Sequence, residues 1–287
     1  MSEKLDPSDF LNVATINALN TNDLHVERAA TIIREANDNN VEVLLLQEAV
    51  TEHKPALIEL LKQHGYNYIF FAEPAYHFRE NMHNGNVIAS KYPITKSFSL
   101  MLTSNPQAIH AAVAIINVRG YDVHVLSVHL FWGAANGHIR LHQARLINDY
   151  ALRAKDGNPD AVIIVGGDFN DEPDADSVRF LRGKKSTEGV QSAFWLDAAV
   201  KTEWEKHPTT RPYGEWGVRT AKLVGIIDPL KVPERRIDYL MVHGWVYGRV
   251  GMPLNFSLFG TDLYDDIHEV SDHYGLRCSF WLPAQHK

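Results

Sequence analysis

The run Ala161 to Asp171, AVIIVGGDFND, restricts the fold of this chain more than any other stretch. Its first part, Ala161 to Val165, is wholly apolar and largely β-branched, and so reads as a strand buried on both faces. It then passes through Gly166 and Gly167 into Asp168, Asn170 and Asp171. A carboxylate is costly to bury without a partner. The acids therefore belong at the strand exit, where the chain leaves the sheet. Residues two apart on an extended chain point the same way, so Asp168 and Asn170 can face one pocket together. The two glycines permit tight turning and close backbone approach at that point.

Five other apolar stretches end in the same manner. Val13 to Ile16 ends at Asn17, and Val43 to Leu46 ends at Gln47 and Glu48. Tyr121 to Val128 reaches His129, Ile237 is followed by Asp238, and Val270 leads to Ser271, Asp272 and His273. Strands often end in Asp or Asn for reasons of turn chemistry alone. Turn chemistry does not favour Glu, nor a His beside an Asp. The set therefore points to a ligand site gathered where strands leave a sheet.

The surrounding pattern alternates helices and strands early and shows hairpins later, which predicts mixed sheets covered by helices. Strands are expected over 11–16, 41–46, 66–71, 86–89, 109–118, 121–130, 237–242 and 274–281. Helices are expected over 25–38, with Asp23 as a cap, and over 55–61 and 139–154. No repeat or linker-like stretch divides the chain, so one domain over 1–287, with its core at about 11–281, is the expected organisation. The segment 183–233 is the least regular.

A formal charge of −7 argues against a general DNA coat, because backbone-charge binding draws on clustered Lys and Arg. It leaves room for one local basic groove. Cys278 is the only cysteine, which excludes an internal disulfide and suits a reducing compartment. No apolar run is long enough to span a membrane, and the N-terminus lacks a signal-like apolar core. A soluble, cytoplasmic protein is expected. Nothing in the sequence sets an oligomeric state.

Taken in order, the exits read TIN (Thr15 to Asn17), QE (Gln47, Glu48), SVHL (Ser127 to Leu130), GDFN (Gly167 to Asn170), RIDY (Arg236 to Tyr239) and SDH (Ser271 to His273). NGNVIAS (Asn84 to Ser90) accompanies them. This resembles the endonuclease/exonuclease/phosphatase superfamily, the group with a deoxyribonuclease-I-like fold, from about Leu11 to Phe280. The resemblance implies an α/β fold, a four-layer α/β sandwich of two packed mixed β-sheets flanked by helices. It implies hydrolysis of a phosphoester with Mg²⁺ or Mn²⁺. It makes Glu48 the main metal ligand, with Asn17 beside it and Asp272 completing the metal side. Asp168 and Asn170 would position water and the phosphoryl group, His129 would contact the phosphate, and Asp238 would orient His273. In one respect the chain departs from the pattern. DNA-repair members tend to carry Asp two residues after the first-strand Asn, and Leu19 stands there instead.

The chemistry is consistent with these residue types. A phosphodiester is anionic and repels hydroxide, so its site must neutralise charge, activate water and stabilise the leaving oxygen. Glu48, Asp272 and Asn17 offer oxygens suited to a hard cation, and so few protein ligands favour Mg²⁺ over Ca²⁺. An imidazole held by a carboxylate suits proton transfer near neutral pH, as His273 with Asp238 would provide. Asp168 competes with His273 for water activation.

Plainer roles remain open at several positions. Asp238 could pair with Arg235 or Arg236, and His129 could be a core histidine. Asn86 could orient His129 or cap a turn. His138 and His142, four apart on the expected 139–154 helix, raise a zinc alternative, but HExxH is absent and a solvated helix face explains them. Arg140 and Gln143 could lie on that same solvated face. Nucleophilic catalysis is disfavoured, since there is no GxSxG elbow and the one Cys lies in a strand.

For the substrate, a small or lipid-like phosphoester is expected first and a nucleic acid second, with a non-catalytic binding module of this fold third. The stretch 201–236 holds eight Lys/Arg and five Asp/Glu, with Trp204, Tyr213 and Trp216 interleaved. Trp216 is the candidate stacking residue for substrate, and Tyr76 to Arg79 with Phe131 and Trp132 are candidates for the opposite rim.

Overall fold

The structure is a computed structural model, and it describes residues 6–284 apart from 22–23, 78–80, 188, 192, 224, 226–227, 229–231, 245 and 247–248. Its strands are β1 (Phe10–Asn17), β2 (Val43–Val50), β3 (Tyr68–Phe71), β4 (Ala75–His77), β5 (Met82–Ser90), β6 (Ile94–Thr103), β7 (Ile109–Val118), β8 (Tyr121–His129), β9 (Val162–Asp168), β10 (Trp195–Asp197), β11 (Asp238–His243), β12 (Pro253–Phe259) and β13 (Gly275–Trp281). Its helices are α1 (His25–Asp38), α2 (Lys54–Gln63), α3 (Gly137–Gly157), α4 (Asp176–Leu181), α5 (Ala198–Lys201) and α6 (Glu215–Leu223).

The strands form two mixed sheets. One runs β12-β13-β1-β2-β5-β3, with β4 also on β5; the other runs β10-β11-β9-β8-β7-β6. Alternation along each strand builds the layers. Val13, Leu45, Val125, Ile164 and Leu240 point between the sheets and form one buried core. Ala14, Ile16, Leu44 and Leu46 point the other way and pack under Ile32 and Ile33 of α1 and Leu57 and Leu61 of α2. Val113, Leu126, Val165 and Met241 meet Ala144, Ile147 and Ala151 of α3 and Val178 and Phe180 of α4. Each buried Leu, Ile or Val contributes about 1.5–3 kcal/mol relative to exposure. A strand buried on both faces therefore commits apolar residues to two cores at once, which explains the unbroken run Val162 to Val165.

Parallel pairing sets the direction of the exits. β1 runs parallel to β2 and β8 parallel to β9, so Asn17 lies beside Gln47 and His129 beside Asp168. β11 is antiparallel to β9, so its first residue, Asp238, faces Asp168. At Gly166 the sheets approach so closely that a Cβ would lie 2.8 Å from Leu45 of the facing sheet, and 2.7 Å from Leu240 on the adjoining strand. Gly167, at φ 148°, has Val128 O where a side chain would start.

All the expected strands and helices are present. Asp23, the expected cap of α1, lies outside the described residues; Leu24 occupies the cap position at φ 54° with no side-chain cap bond. The irregular 183–233 segment contains β10, α5 and α6. Among the described residues no helix is long and apolar enough to cross a membrane.

Candidate active site

The exits of both sheets open into one cleft of about 410 Å³, lined by Glu48, His129, Asp168, Asn170, Asp272 and His273 among others. Asn17, at the end of β1, is 2% exposed and bridges the two sheets. Its Nδ2 donates to Glu48 Oε1 at 3.0 Å and to Asp168 Oδ2 at 3.1 Å. Its side-chain Oδ1 accepts Leu19 N–H at 3.0 Å. Glu48 sits at a bulge between β2 and β5, with φ 58°. The bulge turns its carboxylate off the sheet toward the cleft.

His129 Nε2 lies 3.7 Å from Glu48 Oε1 and 3.6 Å from Asp168 Oδ2. It is therefore a cleft residue rather than a core histidine. Asp168 is held from two sides, because Asn170 N–H donates to its Oδ1 at 2.7 Å while Asn17 holds Oδ2. Asn170, at φ 52°, donates Nδ2 to Leu130 O at 3.0 Å.

His273 Nδ1 bonds Asp238 Oδ2 at 2.9 Å, and its Nε2 stands 3.8 Å from Asp168 Oδ2. Arg236 pairs instead with Asp197 at 2.8 Å and Arg235 with Glu172 at 2.9 Å, which leaves Asp238 to the histidine. Burial by itself would depress the His273 pKa. The charges of Asp238 and Asp168 overcome it and hold the ring well above the ordinary value. Burial pushes the Asp238 carboxyl up, and the His273 charge pulls it back. Burial also raises Asp272, helped by the Glu48 charge and opposed by His273 and a hydrogen bond from Thr220.

Asp168, Asp238 and His273 have ligating atoms within 4.8 Å of one another, a spacing that a metal could use. Without a metal the neighbouring acids favour the charged form of this imidazole, which has no lone pair for a cation. Glu48, Glu73, Asp168 and Asp272 are the acids among the residues that line the cleft.

A family model described as Endonuclease/Exonuclease/phosphatase family matches residues 12–273. The chain belongs to this family. Truncated TDP2 from Caenorhabditis elegans superposes with TM-score 0.70 at 18% identity, covering 95% of this chain and 98% of that one. D. rerio TDP2 complexed with single strand DNA product gives 0.70 at 17%, with 94% and 98% covered. The human Nocturnin catalytic domain with bound sulfate anion gives 0.62 at 19%, with 95% and 94% covered. These likenesses establish the deoxyribonuclease-I-like fold. No curated protein sequence matches the chain.

Within this endonuclease/exonuclease/phosphatase fold several side chains lie where the sequence did not put them. Trp216 on α6 lines the cleft but is 3% exposed, and its Nε1 donates to Glu269 O at 2.7 Å. It is a packed wall. The exposed rings at the cleft are Tyr76 and Trp132, at 49% and 51%; Phe78 and Arg79 lie outside the described residues. Trp204 packs on Phe256 in the core. Asn86 neither caps a turn nor bonds His129; its Nδ2 donates to His110 O at 2.7 Å, tying β5 to β7.

Arg140 and Gln143 are buried, not solvated. Arg140 pairs with Asp171 at 2.7 Å, and Gln143 accepts Phe131 N–H at 2.9 Å, so both brace the loop after His129. His138 and His142 are exposed, as a solvated face requires. The sequence missed Arg219 and Thr220 of α6, which line the cleft beside Asp272. Neither belongs to a motif.

Proposed function

We propose that the chain is a divalent-metal-dependent phosphoesterase that hydrolyses a phosphodiester or phosphomonoester by attack of water. The convergence of both sheets' exits on one cleft supports this reading most strongly: Asn17 and Glu48 come from one sheet, His129, Asp168 and Asp238 from the other. Mg²⁺ or Mn²⁺ suits the donors, which are hard carboxylate oxygens. Glu48 and Asp272 would hold the ion, with Asn17 beside them to aim Glu48. The fit is electrostatic: burial and the nearby Glu48 charge raise Asp272, and a cation relieves that crowding. Such an ion, when bound, neutralises charge on the phosphoryl oxygens.

The chain's own groups do the rest. Asp168, with both oxygens oriented, accepts the proton of the attacking water. His129, whose Nε2 lies 3.6 Å from Asp168 Oδ2, would face the non-bridging oxygens. Asn170 fixes the Asp168 carboxylate and borders the substrate. His273, kept charged by Asp238, delivers a proton to the leaving oxygen.

The substrate is a small or lipid-like phosphoester in this reading, because Leu19 replaces the repair-type Asp and the chain is acidic. A nucleic-acid substrate is the second reading. It is favoured by the fold shared with D. rerio TDP2 in complex with single strand DNA product and by the exposed rings Tyr76 and Trp132, which could stack bases. A cytoplasmic setting is proposed from the lone, buried Cys278.

The experiment is turnover, with Mg²⁺, Mn²⁺ or chelator, of a panel holding plasmid DNA, RNA, sphingomyelin, phosphoinositides and a chromogenic bis-phosphodiester. His273→Ala and Asp168→Asn are expected to lose about 10²–10⁴-fold while still folding. Wild-type-like rates in either variant would remove the assignment. Glu48→Gln is expected to shift the metal titration, and an unchanged titration displaces Glu48 from its role.

A further inference from the structure

Helix α1 sends one charged side chain wholly into the interior. Arg28 is 0% exposed, and its guanidinium donates to backbone carbonyls. Nη1 reaches Ala18 O at 2.7 Å and Val270 O at 2.8 Å; Nη2 reaches Leu19 O at 3.1 Å and Thr21 O at 3.5 Å. These carbonyls belong to two segments distant in sequence. Segment 18–21 follows Asn17, and Val270 leads into Ser271, Asp272 and His273. Ser271 Oγ donates to Asn17 O at 2.6 Å and closes the same junction from the other side.

The first of these segments aims Glu48. Asn20 N–H donates to Glu48 Oε2 at 2.8 Å, and Asn17 Nδ2 reaches Oε1 at 3.0 Å. The Asn17 side chain is itself oriented by Leu19 N–H, which donates to its Oδ1. Leu19 stands at φ 59°, a left-handed conformation. That conformation costs a non-glycine residue about 1–2 kcal/mol and persists only where the surroundings over-determine it. Arg28 supplies that restraint by holding the carbonyls of Ala18, Leu19 and Thr21. A rigid fork with five donors can serve several acceptors at once, and a lysine cannot match it.

We propose that Arg28 is a positioning residue: it locks segment 18–21 to the chain entering Asp272 from behind, and so aims Asn17, Glu48 and Asp272 into the cleft. The catalytic consequence rests on the phosphoesterase reading; the mechanical one does not. Burial pulls the Arg28 pKa down to about 10, while Asp272 and Glu48 pull it back, so its charge persists at neutral pH.

Arg28→Lys and Arg28→Gln test this beside Ile33→Ala, a control on the same helix whose side chain is 0% exposed in the helix–sheet core. Two readouts are needed: turnover of a chromogenic bis-phosphodiester with Mn²⁺, and amide hydrogen exchange without metal. Arg28→Lys is expected to lose about 10²-fold in kcat, the usual scale for small misplacement, with KM close to wild type. Exchange at Leu19 and Asn20 should quicken while the sheets stay protected. Ile33→Ala should lower Tm and leave kcat and those amides unchanged. Wild-type kcat with unchanged exchange in Arg28→Lys overturns the proposal, as does a kcat loss that Ile33→Ala reproduces.

If neither Arg28 variant folds, native-state exchange of the unmodified protein decides. Asn20 N–H exchanging only through global unfolding supports the lock, and loop-like exchange overturns it. A wild-type protein without turnover sinks the phosphoesterase reading and leaves Arg28 to the exchange result.

Discussion

Asp238 shows how one buried side chain sets the chemistry of another. It is 1% exposed and touches His273 at 2.9 Å. Burial alone would leave the imidazole neutral; the Asp238 and Asp168 carboxylates keep it charged. Asp238→Asn keeps the shape and removes one of those charges. The burial penalty then faces weaker opposition, so the His273 pKa should fall. In the metal-free wild type, the His273 ring signals in NMR are expected to stay in the protonated position through pH 7, and in Asp238→Asn to titrate at lower pH. Turnover at pH 7 should drop about 10²–10⁴-fold, the range for a lost proton donor. A wild-type ring that titrates below pH 6.5 would contradict the assigned role. At this scale the sequence was informative where a motif residue stands at a strand exit: Glu48, His129, Asp168, Asp272 and His273 were all named and line one cleft, with Asp238 buried behind His273. It was silent where backbone conformation decides. Nothing in the letters marks Glu48 or Leu19 as left-handed, because those φ values arise from a bulge and a buried clamp rather than from residue type.

At the scale of elements, the site depends on two sheets keeping their relative position. Gln47 of β2 is 0% exposed and crosses the gap: its Nε2 donates to Ser127 Oγ of β8 at 2.9 Å and to Thr15 Oγ1 of β1 at 3.1 Å. Ser127 Oγ in turn donates to Leu46 O at 3.1 Å. Gln47 adjoins Glu48, and Ser127 lies two residues before His129. Gln47→Leu strands the Thr15 hydroxyl and removes one of the two bonds of Ser127 Oγ, and should cost about 1–3 kcal/mol in urea unfolding, the usual penalty for unsatisfied buried groups. Replacing all three partners, Gln47→Leu with Thr15→Val and Ser127→Ala, should recover most of that stability, because apolar groups then fill the whole gap. Recovered stability without recovered turnover would show that the network sets geometry; full recovery of both would show that packing alone suffices. Two of the strands missed in the sequence share a cause. β6 and β12 are edge strands with mixed exposure, β12 with a bulge against β13, so neither carries a clean period of two. Conversely, Arg140 and Gln143 were indistinguishable from a solvated face because polar letters do not reveal a buried bracing role.

Across the whole molecule, loss of stability in acid follows from histidines that the fold keeps neutral. Burial depresses His25 to about 3, with the Arg28 charge adding to it, and His243 to about 4, with Lys155 adding. Both ionise near 6.5 when unfolded. The unfolded chain therefore binds more protons between about pH 4 and pH 6.5, and the stability these groups confer is complete above 6.5 and lost as pH falls through that window. His273 works in the opposite sense: its raised pKa confers stability that is full below 6.5 and lost as pH rises past its folded value. His243 isolates the acid effect, since it ends β11 at the far end from Asp238 and packs edge-on to Trp195 with centroids 5.0 Å apart. His243→Phe fills the same apolar space and cannot take up a proton. Urea unfolding at pH 7.5 and pH 5 should show the variant gaining about 2 kcal/mol over wild type at pH 5 relative to the higher pH, the proton-linkage value for a shift from 6.5 to about 4. Turnover should be unaffected. Parallel stability profiles for the two proteins would mean that His243 is already protonated in the native fold, and the acid limb would then have to be assigned to His25 and the site carboxylates.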